Sequence, residues 1–291
     1  MNHTKIEWVK NPDGTPGFTW NPITGCLNHV NGLCKGGGFP CYAYRLATTR
    51  LKDRYCANKY TAPIVGNILL PNLGFVEMNP FYPRFWPERL KWHRLYSPNF
   101  GRGIFVCDMS DVFGIGIPEE WTWRVLEYIN TEFEERFYLL TKQPQNLIKF
   151  SPFPDNCWVG VTATNCSMFA EAYWQLKRVK AKVKYLSLEP MLDFNKLPEI
   201  LTQSHFLYFW LIDSGINWLI IGAQTKPSVY PKIEWVQEIV EAADKVGIPV
   251  FLKDNLLPLI GKIGNVKPCF TSIRENNPQS HSVVLRQEMP K

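Results

Sequence analysis

The sequence predicts an α/β protein that forms a partial TIM-type (β/α) barrel of about six to seven parallel strands. From Gly101 onward, short apolar runs alternate with longer amphipathic segments, and polar or charged residues follow each run. Strands that alternate with helices form βαβ units with parallel strands. The chain of 291 residues is long enough for one barrel-sized domain.

The predicted strands are short runs rich in β-branched and aromatic residues. They are Phe18–Trp20, Gly103–Cys107, Arg136–Leu140, Trp158–Thr162, Lys184–Leu188, Trp218–Gly222 and Pro249–Leu252. Helix-like segments follow at Pro118–Thr131, Pro144–Phe150, Ser167–Val179 and Lys232–Val246, and Gly247 is the expected C-cap of the last one. We expect a single domain over residues 1–291, with a cysteine loop at 21–56, an irregular insertion at 57–100 and a C-terminal tail at 264–291.

Composition excludes some classes of protein. The N-terminus lacks the basic start and apolar stretch of a signal peptide, and no run of apolar residues is long enough to span a membrane. We therefore expect a cytoplasmic protein without a membrane partner; its oligomeric state is left open. The net charge of +6 favours a polyanionic partner without deciding it.

Four of the eight cysteines, Cys26, Cys34, Cys41 and Cys56, lie close together in the cysteine loop. In a reducing compartment such a group indicates metal binding or catalysis rather than disulfides. Glycines in the same loop allow three thiolates to converge on one centre. An iron–sulfur cluster held by Cys26, Cys34 and Cys41 would leave one iron open to a small molecule.

These motifs resemble a known family. TWNPITGC and CYA are followed, in order, by FVCDMSDVF, YLLTKQPQNL, NCWVGVTATN, YLSLEPMLD, LIIGAQTKP and GIPVFLKDN. Together they resemble the Gp37/Gp68-type phage-related proteins, a radical SAM-like group, over residues from about 8 to 255. The resemblance implies a [4Fe-4S] cluster on Cys26, Cys34 and Cys41. It also implies S-adenosylmethionine bound at the open iron, an external electron donor and a 5′-deoxyadenosyl radical.

The spacing of the cysteines departs from the compact radical SAM pattern. Seven residues separate Cys26 from Cys34, and six separate Cys34 from Cys41. These wider gaps leave open whether Cys56 replaces one of the three ligands.

Polar residues at the carboxyl ends of the predicted strands are candidates for binding and catalysis, because active sites of α/β barrels form there. The resemblance makes Asp108, Ser110 and Asp111 candidates for binding the methionine amino group of S-adenosylmethionine. It makes Thr162, Thr164 and Asn165 candidates for binding its ribose hydroxyls. Tyr42 is expected to pack on the adenine or, alternatively, in the core. Glu189 is expected to orient the cofactor or to pair with Lys142, and Lys142, Glu189 and Lys253 are the candidate catalytic residues.

Two other functions remain open from the sequence. Cys26, His29, Cys34 and Cys41 have the ligand types of a tetrahedral zinc site, which would make the protein a nucleic-acid-binding or structural module. A metal-free barrel enzyme would use Lys142 or Lys253 with Glu189 as acid and base.

A basic and aromatic stretch predicts the partner. Cationic side chains that neutralise phosphates, next to indoles that stack on bases, are typical of single-strand nucleic-acid binding. The candidate contact residues are Arg84, Trp86, Arg89, Lys91, Trp92 and Arg94. We expect a nucleic-acid substrate, for repair or modification.

Overall fold

The computed structural model describes residues 1–63, 73–91, 101–195, 207–260, 268–271 and 285–290. Trp92 and Arg94, two of the candidate nucleic-acid contacts, lie outside the described residues.

The strands form a mixed, mostly parallel central sheet of eight strands, in the order β1-β2-β7-β8-β9-β10-β11-β14. Their bounds are β1 Asn2–His3, β2 Phe18–Trp20, β7 Gly103–Val106, β8 Arg136–Thr141, β9 Cys157–Thr162, β10 Val183–Leu188, β11 Trp218–Ile221 and β14 Val250–Leu252. Within this sheet the short β1 pairs antiparallel with β2, and the pairs β2–β7, β7–β8, β10–β11 and β11–β14 are parallel. The predicted α/β class with parallel strands is confirmed, whereas closure into a barrel is not.

Small strand pairs complete the list of strands. The strands are β3 Ile23–Thr24, β4 His29–Val30, β5 Leu33–Cys34, β6 Arg84–Phe85, β12 Gln224–Thr225 and β13 Ser228–Val229. They pair antiparallel as β3 with β6, β4 with β5 and β12 with β13.

Three of the described α-helices, Glu119–Thr131, Cys166–Arg178 and Ile233–Val246, fall where amphipathic segments were predicted, and the others were not predicted. They are α1 Tyr42–Thr48, α2 Lys52–Ala57, α3 Leu73–Met78, α4 Glu119–Thr131, α5 Cys166–Arg178, α6 Leu207–Ser214, α7 Ile233–Val246 and α8 Leu257–Ile260. Pro144–Phe150 is a 3-10 helix, as are the short segments Pro87–Leu90, Asp254–Leu256 and Pro268–Phe270. Gly247 has a left-handed φ of 69° and caps α7, as predicted.

Burial explains why the strands read as continuous apolar runs. Every residue of β7, β9 and β11 is buried, as expected for parallel strands covered on both faces. In contrast, α4, α5 and α7 each bury one apolar face and expose a polar one.

The chain divides into two compact units. The first comprises Met1–Val159 and Val179–Lys182, and contains the cysteine loop and the strands from β1 to β8. The second comprises Gly160–Arg178 and Val183–Lys291, and contains β10, β11 and β14. Because a compact unit is not the same as an independently folding domain, the single-domain organisation stays a prediction.

Each unit has its own aromatic core. In the first, the Trp8 ring packs edge-on against Phe105 and Tyr138, with ring centroids 5.2 and 5.6 Å apart. In the second, Trp218 is fully buried between Tyr185 and Phe251, with ring centroids 5.6 and 6.3 Å apart.

The segment at 285–288 pairs with the edge strand β14, because the Leu252 N–H donates to the Arg286 carbonyl and the Glu288 N–H donates to the Val250 carbonyl. None of the helices in the described ranges is long and apolar enough to cross a membrane.

Candidate functional site

The cysteine loop leaves the carboxyl end of β2 and folds back on itself. His29 on β4 lies opposite Cys34 on β5. The Cys34 N–H donates to the Phe39 carbonyl at 2.9 Å, and the Cys41 N–H donates to the Gly32 carbonyl at 2.8 Å. These bonds close a small hairpin that carries Cys34 and Cys41 together.

Cys26 is anchored by the segment that precedes β6. Its N–H donates to the Phe81 carbonyl at 3.0 Å, and its Sγ accepts the Asn28 N–H at 3.3 Å. Gly25 has a left-handed φ of 87°, and a Cβ there would lie 2.4 Å from the Tyr82 carbonyl oxygen. Only glycine therefore fits immediately before Cys26.

The three thiols are electrostatic neighbours. Burial, and then the charge of Asp111, raise the pKa of Cys26 to about 12, and the charges of Cys34 and Cys41 act in the same direction. Burial also raises the pKa of Cys34, against the opposing charge of Lys142. None of the eight cysteines, all of which lie in the described ranges, forms a disulfide. No group of three or more Cys, His, Asp or Glu side chains within the described ranges is arranged to hold a metal ion.

The carboxyl end of β7 meets the cysteine loop. The Ser110 hydroxyl donates to the Gly25 carbonyl at 2.5 Å. Asp111 is buried and accepts hydrogen bonds from the Thr141 hydroxyl at 2.9 Å, from the Lys142 N–H at 3.0 Å and from the Phe113 N–H at 3.1 Å. Burial raises the pKa of Asp111. These two predicted site residues therefore lie beside the thiols.

Asp108 and Tyr42 form a second part of the same region. The Tyr42 hydroxyl donates to the Asp108 carbonyl oxygen, and the Asp108 carboxylate lies 3.3 Å from that hydroxyl. Burial raises the pKa of Asp108. Tyr42 is 49% exposed, which excludes the alternative that it is a core aromatic. Its packing against an adenine stays a prediction.

Asn21 is a site residue that sequence reasoning missed. Its side-chain amide donates to the Asp108 carboxylate at 2.5 Å, and its side-chain oxygen accepts the Met109 N–H at 3.0 Å. Asn21 thus fixes the turn after β7. The signal was its place inside TWNPITGC, directly after the predicted strand Phe18–Trp20 and five residues before Cys26.

Lys142 follows β8 in the first unit. Its ammonium lies 5.8 Å from the centroid of the Phe39 ring, within the cysteine loop. Its charge acts on both Cys34 and Asp111. Lys142 therefore places a positive charge beside the cysteine loop and Asp111.

Residues predicted at the strand ends of the second unit have local partners. Glu189, after β10, forms an ion pair with Lys253, after β14, so the pairing of Glu189 with Lys253 replaces the expected pairing with Lys142. Gly222 makes room for this pair, since a Cβ there would lie 2.9 Å from Lys253 Cδ. The Asn255 side chain bonds both the N–H and the carbonyl of Ala223.

The three candidates after β9 differ from one another. Thr162 is buried, and its hydroxyl has no hydrogen-bond partner in the described part of the chain. Thr164 is fully buried, with its hydroxyl 3.3 Å from the Met168 sulfur. The Asn165 side chain accepts the Met168 N–H at 3.0 Å and so caps the first turn of α5. Ribose binding by these residues stays a prediction.

The predicted nucleic-acid-contacting stretch is wrong at two positions. Arg84 is fully buried, and its guanidinium donates to five backbone carbonyls, those of Asn58, Val76, Glu77, Asn79 and Tyr82. Trp86 is buried, and its indole N–H donates to the Thr24 hydroxyl at 2.9 Å. Neither side chain is available to a phosphate or a base.

The next two members of that stretch are more accessible. The Arg89 guanidinium lies 3.9 Å from the centroid of the Trp86 ring and donates to the Asn21 carbonyl at 2.5 Å, yet the residue is only half-buried. Lys91 is exposed.

Two alternative metal ligands have other contacts. The His29 ring packs between Tyr44 and Phe81, at 5.0 and 5.3 Å, and its Nδ1 accepts the Gly32 N–H at 3.3 Å. The Cys56 thiol donates to the Met78 carbonyl at 3.4 Å. Because the Nδ1 of His29 accepts this bond, the other ring nitrogen of the neutral imidazole carries the proton. Cys56 belongs to the packing around α3.

A family model described as "Protein of unknown function (DUF5131)" matches residues 3–256. The chain belongs to this family. The match spans the cysteine loop, the strand ends after β7 and β8 in the first unit, and the Glu189–Lys253 pair in the second. Membership of the Gp37/Gp68-type group stays a prediction.

Two further comparisons concern curated proteins and solved structures. The search of curated proteins found no match. Among solved structures, the chain is similar to "Spore photoproduct lyase complexed with dinucleoside spore photoproduct", with a TM-score of 0.49 and 12% sequence identity, covering 84% of this chain and 77% of that chain. A likeness of this degree assigns no activity.

Proposed function

We propose that this DUF5131 protein is a radical S-adenosylmethionine enzyme that holds a [4Fe-4S] cluster on Cys26, Cys34 and Cys41. The observation that carries the proposal is the closed cysteine loop: backbone hydrogen bonds hold Cys34 and Cys41 in one hairpin, and Cys26 and Cys41 pack against the same apolar cluster. The donor set fits in type, because thiolates are the ligands of such clusters and three of them leave one iron open.

The bound cluster would supply the electron that cleaves S-adenosylmethionine into methionine and a 5′-deoxyadenosyl radical, after reduction by an external donor. The side chains around it have defined tasks. Asn21 and Tyr42 fix the position of the Asp108 side chain. Its carboxylate would accept a hydrogen bond from the amino group of S-adenosylmethionine. Lys142 balances the negative charge that three thiolates and Asp111 would bring.

The proposed substrate is nucleic acid. The net charge of +6 and the accessible Arg89 and Lys91 support it, whereas the burial of Arg84 and Trp86 removes two of the contacts that first suggested it.

Anaerobic reconstitution tests the proposal. The protein incubated with iron and sulfide should become brown, contain iron and sulfide in equal amounts, and form 5′-deoxyadenosine when S-adenosylmethionine and a reductant are added. The variant Cys26→Ser/Cys34→Ser/Cys41→Ser should lose all three properties and keep the far-UV circular dichroism of the wild type.

Cys56→Ser is the matched control, because this cysteine belongs to the same part of the sequence but contacts Met78. It should retain the cluster. Loss of iron in Cys56→Ser would show that the ligand assignment is wrong. One zinc bound per chain after reconstitution, lost in His29→Ala, would replace the proposal with the zinc module.

A further inference from the structure

A pocket of about 610 Å³ lies in the first unit, between the ends of β2 and β7 on one side and helices α1 and α2 on the other. Its volume is in the range of small-molecule sites. The apolar part of its lining includes Trp20, Tyr55 and Met109.

Four cationic side chains line this pocket: Arg50, Arg54, Arg89 and Lys91. They come from two separate segments, the α1–α2 region and the 3-10 helix at Pro87–Leu90 with the residue after it. Only two acidic side chains, Glu88 and Asp108, face them in the lining. The pocket therefore has an excess of positive charge.

Three of the four cations remain available to a ligand. Arg50, Arg54 and Lys91 are exposed, and their side chains form no hydrogen bond or ion pair with other described residues. Arg54 lies near enough to Arg89 for charge repulsion to add to burial in lowering the pKa of Arg89. Like charges gathered in this way are stabilised when an anion lies between them.

We propose that this pocket binds a nucleoside phosphate, with Arg50, Arg54 and Lys91 around the phosphate. Guanidinium groups bind phosphate oxygens in a bidentate manner, and two of the three cations are arginines. The apolar side of the pocket would cover the base or the sugar.

The excess of positive charge argues against S-adenosylmethionine as the ligand of this pocket. That molecule has no phosphate, and its sulfonium and amino cations outweigh its single carboxylate. A pocket with four cations favours phosphates over it. The inference deepens the substrate part of the proposed function and rests on it for its biological role, but binding itself requires no cluster.

Titration calorimetry tests the pocket on the purified full chain, with adenosine 5′-monophosphate and thymidine 5′-monophosphate as probes and the unphosphorylated nucleosides as references. The monophosphates should bind at least about tenfold more tightly than the nucleosides, because charge-assisted hydrogen bonds to the phosphate are lost in the latter. Added salt should reduce the difference.

Arg50→Gln/Arg54→Gln should weaken binding of the monophosphates about tenfold or more and leave the nucleosides unaffected. Lys91→Gln, from the other segment, should act in the same direction. Arg45→Gln is the matched control: it is exposed on α1, lies outside the pocket lining and should bind as the wild type does.

A short single-stranded oligonucleotide distinguishes the source of the phosphate. Tighter binding than the monophosphates, with the same loss in Arg50→Gln/Arg54→Gln, would identify a nucleic-acid strand, and equal or weaker binding would identify a free nucleotide. Equal affinity for phosphorylated and unphosphorylated probes, absence of binding, or unchanged binding in Arg50→Gln/Arg54→Gln would overturn the proposal.

The triple cysteine variant separates this proposal from the cluster. Cys26→Ser/Cys34→Ser/Cys41→Ser should bind the monophosphates as the wild type does. A chain that binds them without ever assembling a cluster would refute the radical chemistry alone, and one that assembles a cluster without binding them would refute the pocket alone.

Discussion

Carboxylates follow strands in both units, but the two units hold them in different ways. In the first unit, Asp108 and Asp111 follow β7 and accept hydrogen bonds from neutral amide, hydroxyl and backbone groups. In the second, Glu189 follows β10 and is neutralised by the ammonium of Lys253. The carboxyl groups of both units follow a strand, but their partners differ: neutral donors in the first unit and a cation in the second.

This difference indicates which of the carboxyl groups is able to bind a ligand. An ion pair occupies both of its partners, whereas a carboxyl group held by neutral hydrogen-bond donors has no ion-pair partner among them and can still bind a ligand. We therefore expect ligand chemistry around the cysteines and a supporting role for the Glu189–Lys253 pair.

The largest expected effect is on stability, at Arg84. Arg84→Met removes five hydrogen bonds at once and leaves buried carbonyls without donors, so the free energy of unfolding should fall by about 3 kcal/mol or more. Urea denaturation measures it. Arg45→Met, at an exposed position, should change it by less than about 0.5 kcal/mol. Equal effects at the two positions would mean that the carbonyls around Arg84 find other donors.

A smaller effect is expected for the pair in the second unit. Lys253→Met leaves the Glu189 carboxylate, whose side chain is 25% exposed, without its cation, and should cost about 2–3 kcal/mol of unfolding free energy. Glu189→Gln in the same chain should restore most of this loss, because the uncompensated charge is removed. A double variant no more stable than Lys253→Met would contradict a supporting role for this pair.

The smallest effect is a pH dependence of opposite sign in the two units. Burial raises the pKa of Asp111, so its folded state favours the protonated carboxyl. Its contribution to stability is present below the pKa of the unfolded chain and is lost as the pH rises through the folded pKa. Hydrogen bonds from Lys177 and Tyr173 lower the pKa of Asp213, so its contribution is present above the unfolded pKa and is lost as the pH falls through the folded one.

Urea denaturation between pH 3 and 7 separates the two signs. Asp111→Asn should lessen the loss of stability of the wild type on the alkaline side of this window, and Asp213→Asn should lessen the loss on the acid side. The same sign for both variants would show that the first unit does not bury an uncompensated carboxylate.

The sequence predicted the elements whose signals are local. Apolar runs such as Trp218–Gly222 become strands because parallel strands are buried on both faces, and the run itself carries that information. Gly247 ends α7 because its left-handed φ suits glycine. The three cysteines are neighbours because they share one short loop. Closure of the sheet is not a local property, and it was not predictable from these runs.

Partner choice was the part that sequence could not provide. Arg84 and Trp86 lie in a stretch that resembles a nucleic-acid-binding surface, yet carbonyls from α3 and from the turns around it converge on Arg84. Glu189 had two candidate cations, and only the fold selects Lys253. No local signal in the sequence indicated that Arg50 and Arg54 line one pocket with Arg89 and Lys91.

The contact between Gly25 and Tyr82 has a consequence for protein engineering. Cys26 takes its backbone geometry from Gly25 and from the Phe81 carbonyl, both of which depend on the segment before β6. A graft of residues 21–56 onto another α/β scaffold would transfer the thiols without the Phe81 and Tyr82 backbone that fixes the conformation of Gly25 and Cys26. A transferable module would have to carry residues 76–86 as well, together with the Arg84 side chain that holds that segment in place.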